Sequence, residues 1–547
     1  MNDLSRQAWK ATTDAVTTEH LDTVFLKPNV KMELLAAQWL AWSHMIAPVQ
    51  HAMNIAFRYL PIMKSFVANP KVHQAASADP KFTGGPFIDL PESAVPEIKE
   101  LISQTSAQCA ELIAFAEDYK RFDKALQERA RGYCLHDFYR ELPPSLAGLV
   151  EIAYDVNNHP SIRMIEEIVY KYGLENRFTQ QLLLHDCADV DRKFFANTPR
   201  LPAADAFLAK IQFSDPALDR LSLMRTQPGS LRDAASIFGG DVLDNANFRS
   251  LFTAAAPSRN APHYAGDAVR VRYFGHACVL VQTSRTSILI DPTVTWDAGS
   301  DGRLTYCDLP DSIDFLIISH AHQDHFSPEI LVQLRHRVKR VIVPRNKGGN
   351  IADPSMALIL HRLGYTNVDT VDAFDHVEFD EGEIVSLPFS GEHADLDVNS
   401  KQTVLVAVKG RKFFFLVDSD AIDPALYKVV AKVAGKLDAL FIGMECYGAP
   451  LTWLYGPLLT ATISRRDDES RRLSASDCER AWRLVKDLDC SRAFIYAMGQ
   501  EPWLRYLMGL EYQPGSIQLT QARNFIDRCR DSGVAVEHLH ISREMFF

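Results

Sequence analysis

The chain has 547 residues, 47% of them hydrophobic and 23% charged, with a formal net charge of −11. That length exceeds one hydrophobic core and calls for at least two domains. Lys and Arg are scattered rather than clustered, which excludes a nucleic-acid footprint or a basic membrane-binding face.

Met1-Asn-Asp-Leu-Ser-Arg lacks the apolar core of a signal peptide, and no apolar run is long enough to cross a bilayer. A cytoplasmic protein is expected. Nine cysteines without a C-x-x-C pair argue against a disulfide framework or a zinc knuckle and read as reduced thiols.

Taken in chain order, the first half reads as helical. Lys31–Met63 is dense in Leu, Ala, Trp and Met, and Pro96–Ala130 repeats apolar residues at three- and four-residue spacing. Ser161–Cys187 behaves alike, with a break at Gly173. Pro-containing segments at Pro80–Pro91, Pro143-Pro144 and Pro199–Pro202 divide this half.

Ala254–Asp267 is small, Pro-containing and aperiodic, and is the expected linker between residues 1–260 and 268–547. Beyond it come β-rich runs: Val269–Phe274, Val279–Val281, Ser287–Ile290, Phe315–Ser319 and Arg340–Val343. Thr403–Val408 and Lys412–Val417 flank Gly410-Arg411 as a hairpin. Helical stretches at Glu329–Arg337 and Ala425–Ala434 alternate with strands, so a layered α/β domain is expected.

The chemistry concentrates after Ile317-Ile318-Ser319, where the chain delivers His320, His322, Asp324 and His325. Residues two apart on an extended segment point the same way, so His320 and His322 can chelate one ion. Asp324 and His325 follow where the chain turns and can face a second. Imidazole plus carboxylate suits borderline divalent metals.

H-x-H-x-D-H after a strand resembles the hallmark of the metallo-β-lactamase superfamily. Tyr273-Phe-Gly-His276 and Ile288-Leu-Ile-Asp291-Pro292 look like its opening strands. The resemblance implies an αββα sandwich, with Asp291 holding a ligand in orientation and His276 either doing the same or filling the core. Asp418 matches the superfamily's bridging aspartate, with Asp420 as the next candidate.

At the third position Glu392 and His393 are adjacent, and on an extended chain only one of them would face the metals. At the last position hydrolases place a histidine. After Asp418 the sequence has none before His538 and His540, which read as surface residues, so Glu445 takes the slot, with Glu501 as a rival. Asp324, Glu392, Asp418 and Glu445 would then balance two divalent ions. That quenches the Lewis acidity that hydrolysis needs and suits oxygen chemistry at iron.

This pattern resembles the diiron amino-acid β-hydroxylases of nonribosomal peptide synthesis, known from the chloramphenicol and depsipeptide pathways. The resemblance implies that His320, His322 and Glu392 bind one iron. Asp324 and His325 would bind the other, with Asp418 bridging and Glu445 adding a carboxylate. It also implies a monooxygenase using O2 and two electrons from a separate donor. The substrate would be an amino acid held as a thioester on a synthetase carrier domain. The first half would supply homodimer contacts and close over a tunnel for the carrier's arm. The alternative is a zinc or manganese hydrolase that uses His393. Trp453, Tyr455 and Trp503 are candidate pocket aromatics.

Overall fold

The computed structural model describes residues 23–547 except 173, 175–179, 300, 347 and 510. The opening segment and the expected break at Gly173 therefore lie outside the described residues. From Arg270 onward the chain forms a two-sheet sandwich. One sheet runs in the spatial order Val368–Val371, Val338–Pro344, Ile313–Ile317, Ser287–Ile290, Val279–Gln282, Arg270–Tyr273 and Arg543–Phe546. The other runs His376–Phe379, Gly382–Leu387, Thr403–Val408, Arg411–Phe415, Ala439–Gly443, Arg492–Tyr496 and Ala535–His538. The C-terminal strand Arg543–Phe546 pairs with Arg270–Tyr273 in the first sheet.

Alternate residues of each strand turn inward, so Val271, Ile288, Ile290 and Phe315 meet Phe413, Phe415, Phe441 and Phe494 between the sheets. The opposite faces are covered by helices. Pro328–Leu334 and Met356–Arg362 pack on the first sheet, and Pro424–Ala434, Cys478–Asp487 and Ile517–Asp531 on the second. This αββα layering is the expected one. Among the described residues no helix is long and apolar enough to cross a membrane.

The first half is largely helical, as expected, but it also contains strands. Lys31–Ala36 is a strand, not a helix start, and it pairs antiparallel with Gln180–His185 in a four-stranded sheet with Trp39–Leu40 and Phe207–Lys210. The segment KMELLA favours helix locally, but all six residues are buried, and burial on both faces outweighs so weak a preference. The turn that returns the chain uses Ala37 and Gln38 at positive φ, without the usual glycine signal.

Ser161–Cys187 likewise resolves into the end of a strand (Pro160–Met164), a short helix (Glu166–Tyr172) and the strand Gln180–His185. The stretch from Pro96 to Ala130 is helical but interrupted at Cys109, giving Val95–Gln108 and Ala110–Arg129.

The halves share a core. Leu34, Phe207, Leu218 and Phe248 pack with Leu289, Leu316, Ile330 and Leu360. A buried ion network spans the same seam. Arg192 pairs with Glu33 on one side and with Glu329 at 2.8 Å on the other, while Arg200 Nε lies 2.9 Å from Glu33. Burial alone would raise the Glu33 carboxyl, but the two guanidiniums hold it well below the usual glutamate range. Between Phe252–Thr253 and Arg270–Tyr273 the chain has no helix or strand, as the aperiodic sequence there suggested.

Candidate metal centre

Strands of both sheets end at one edge of the sandwich, and the residues that follow them converge there. Asp291 follows Ser287–Ile290 at φ 41, and His320–His325 follow Ile313–Ile317. Asp418 follows Val417, itself at φ 54, and Glu445 follows Ala439–Gly443. Gly443 is required here, because a Cβ would lie 2.3 Å from the Val417 carbonyl and 3.0 Å from Asp418 Oδ1.

Three buried groups of ligand atoms form, each with its atoms within 4.8 Å of one another: His320, His322, Glu392 and His393; His320, His325 and Asp418; His276, Asp324 and His325. Asp418 Oδ2 lies 2.9 Å from His325 Nε2 and 3.7 Å from His320 Nε2, so it stands between the groups. His322 Nδ1 faces Glu392 Oε1 at 3.1 Å.

Glu445 lies outside these groups. It lines the same cavity, and Tyr512 donates a 2.6 Å hydrogen bond to its Oε1.

Glu392 and His393 do not sit on extended chain, contrary to expectation. Residues 392–395 are four consecutive non-glycine residues at positive φ, and this tight left-handed turn brings both side chains to the cluster. His393 Nδ1 lies 2.6 Å from Glu392 Oε2. Burial lowers the pKa of His393 to about 4, against the upward pull of the adjacent Glu392.

The outer atoms of the cluster are anchored. Asp291 accepts from the Ser319 amide (2.7 Å), the Ser319 hydroxyl (2.6 Å) and His325 Nδ1 (3.0 Å). That directs His325 Nε2 inward. The Gly499 amide donates to His276 Nδ1, so His276 carries its proton on Nε2 and donates it to Asp324 at 3.1 Å. His276 is thus a hydrogen-bond donor to Asp324 rather than core filler. His322 Nε2 meets the Tyr455 hydroxyl at 2.9 Å.

Other candidates go elsewhere. Glu501 accepts from Tyr273 at 2.5 Å, and Asp420 pairs with Arg480 and Ser476. His538 and His540 join none of the ligand groups found among the described residues. Trp453 lines the cavity, whereas Trp503 packs beneath Arg303. Phe194, Phe195, Met508 and Tyr512 also border or support the site. They lie far from the metal motif in sequence and carry no spacing signal.

The electrostatics call for cations. Burial raises Glu445 well above the usual range, and the charges of Asp418, Asp324 and Glu392 add to it; Asp418 is also raised by burial. Glu392 is buried too, yet His322 and His393 hold it well below its ordinary value. His320 Nε2 and Asp418 Oδ1 are buried without a hydrogen-bond partner among the described residues. Buried atoms are rarely left so, and two divalent ions would satisfy them and offset the carboxylates.

Fold and site together define a metallo-β-lactamase-fold protein built for a dinuclear metal centre. The family described as "Diiron non-heme beta-hydroxylase N-terminal domain" matches residues 25–256, and a beta-lactamase superfamily domain matches 270–420. The 4-amino-L-phenylalanyl-[CmlP-peptidyl-carrier-protein] 3-hydroxylase of Streptomyces venezuelae is 34% identical over 527 residues, 95% of this chain and 99% of that one. The crystal structure of CmlA, a diiron β-hydroxylase from Streptomyces venezuelae, superposes with a TM-score of 0.89 at 33% identity, covering 96% of this chain and all of that one. A CmlA mutant structure gives 0.87.

This chain belongs to the diiron non-haem β-hydroxylase family. It is an oxygenase whose cofactor is a pair of iron ions, and the hydrolase alternative is set aside.

Proposed function

We propose that this protein β-hydroxylates an amino acid tethered as a thioester to the carrier domain of a nonribosomal peptide synthetase, using O2 and two electrons. The observation that carries this is near-full-length similarity to a hydroxylase named for a carrier-bound aminoacyl substrate. In this reading His320, His322 and Glu392 hold one iron, Asp324 and His325 the other. Asp418 would be shared between them and Glu445 would supply a further carboxylate.

When bound, the two irons supply the redox chemistry that activates O2. The protein's own groups hold the ligands and keep water out. Asp291 keeps the His325 proton on Nδ1, His276 fixes Asp324, and Tyr455 orients His322. Phe194, Phe195, Leu507 and Met508 give the cavity an apolar wall that excludes bulk water. Residues 1–260 form a substrate-access and dimerisation domain, and residues 268–547 the catalytic one. A separate electron donor and a homodimer complete the proposal.

The test reduces the iron-loaded protein, adds O2 and a panel of aminoacyl carrier domains, and weighs the products. A gain of one oxygen atom on the tethered amino acid supports the proposal; none across the panel refutes it.

A further inference from the structure

The cavity at the metal centre measures about 50 Å³. That is about a tenth of the space in either of the two pockets beside it. Apart from the ligand cluster its lining bears no ionisable group, and the remaining residues are apolar except for Gln323. A pocket of about 520 Å³ lies on the other side of Trp453, which borders both spaces. A third pocket, of about 550 Å³, is divided from the metal cavity by Phe194.

The two rings meet edge to face with centroids 5.5 Å apart, so one aromatic pair stands between the metals and both outer spaces. Each ring is backed by a glycine at positive φ. A Cβ on Gly84 would fall 2.0 Å from the Trp453 ring, and one on Gly509 2.8 Å from the Phe194 ring.

The pocket beyond Trp453 is slightly the smaller of the two outer pockets. Arg58 lines it from a π-helical turn, Ile55–Tyr59, a distortion common at functional sites. Its Nη2 donates to the Trp453 carbonyl at 2.6 Å, and the Tyr59 hydroxyl is a second partner of the buried guanidinium. Arg58 thus holds the Trp453 backbone, while Gly84 and Gly509 let the two rings pack closely against the chain behind them.

We propose that Phe194 is the specificity-determining partition of this enzyme: the carrier's arm enters through the third pocket, which Phe194 divides from the metal cavity, Phe194 yields, and the amino acid delivered has an uncharged, apolar side chain. This rests on the carrier-bound reading above. A charged side chain would be stripped of water against an apolar wall that offers it no partner.

The test uses the iron-loaded full-length protein with Phe194→Ala and the milder Phe194→Leu, and has two readouts. Azide entry to the irons, followed optically without any carrier, should quicken roughly three- to tenfold in Phe194→Ala, the factor one aromatic pair is worth in the open population. Hydroxylation of carriers loaded with leucine or phenylalanine should exceed that of carriers loaded with aspartate or lysine, and Phe194→Ala should extend it to larger apolar side chains. Unchanged azide entry in both variants overturns the partition. Equal turnover of charged and apolar substrates overturns the specificity. Faster azide entry with no carrier substrate ever hydroxylated keeps the partition and defeats the carrier-bound reading instead.

Discussion

Replacing Asp291 with Asn tests the anchoring of the metal ligands with almost no change in volume. Asp291 is fully buried, and its two oxygens accept three hydrogen bonds, from the Ser319 amide, the Ser319 hydroxyl and His325 Nδ1. An amide oxygen in the Oδ1 position can still accept from the Ser319 amide. The NH2 that replaces Oδ2 is a donor, so it repels His325 Nδ1–H or forces that proton onto Nε2, the nitrogen that faces Asp418. Losing a hydrogen bond to a buried charge costs about 1.5–3 kcal/mol. Losing the outer partner of a metal-binding histidine typically costs roughly 10- to 100-fold in affinity, which is about the same energy. Competition of the variant and the parent for Fe(II) against a chelator measures it. Asp291→Asn should retain the fold and lose affinity by that factor, chiefly for the iron held by His325. Unchanged affinity for both irons would refute the anchoring argument.

Three further outcomes are expected. Glu33→Gln leaves Arg192 and Arg200 without their shared carboxylate at the seam and should destabilise the chain by about 3–5 kcal/mol, read by denaturant unfolding. Because the folded-state pKa of Glu33 is depressed, its contribution is complete above the ordinary glutamate range and is lost as pH falls through the depressed value. The gap between parent and variant should therefore close only in strong acid. Gly443→Ala drives a methyl into the Val417 carbonyl and should cost about 1–3 kcal/mol in thermal unfolding while displacing Asp418 and lowering bound iron per chain. Tyr455→Phe removes the partner of His322 Nε2; iron affinity should fall by about tenfold with little change in melting temperature, and an unaltered affinity would make the contact incidental.

The parts legible in the sequence were those in which chemistry and periodicity coincide. His320 to His325 sit together because one strand end delivers them. The inter-sheet strands announce themselves because β-branched and aromatic runs have few other uses. Lys31–Ala36 misled because its local helix preference is small beside burial on both faces. The Glu392–His393 turn misled because four non-glycine residues adopt positive φ, a conformation that composition does not signal. Tyr512 and Phe194 were illegible as site residues, since they reach the centre from separate segments and by tertiary packing alone, and Tyr455 was legible as a pocket aromatic but not as the partner of His322.

The central claim is that carboxylates occupy positions where hydrolytic relatives use imidazole, so that the paired metals are iron poised for dioxygen. A crystal structure of the iron-loaded protein, with anomalous data at the iron edge, tests it directly. Two iron peaks with Asp418 between them, Glu392 and Glu445 coordinating and His393 unligated are predicted. A pair of zinc ions with His393 bound and both glutamates turned away would contradict it.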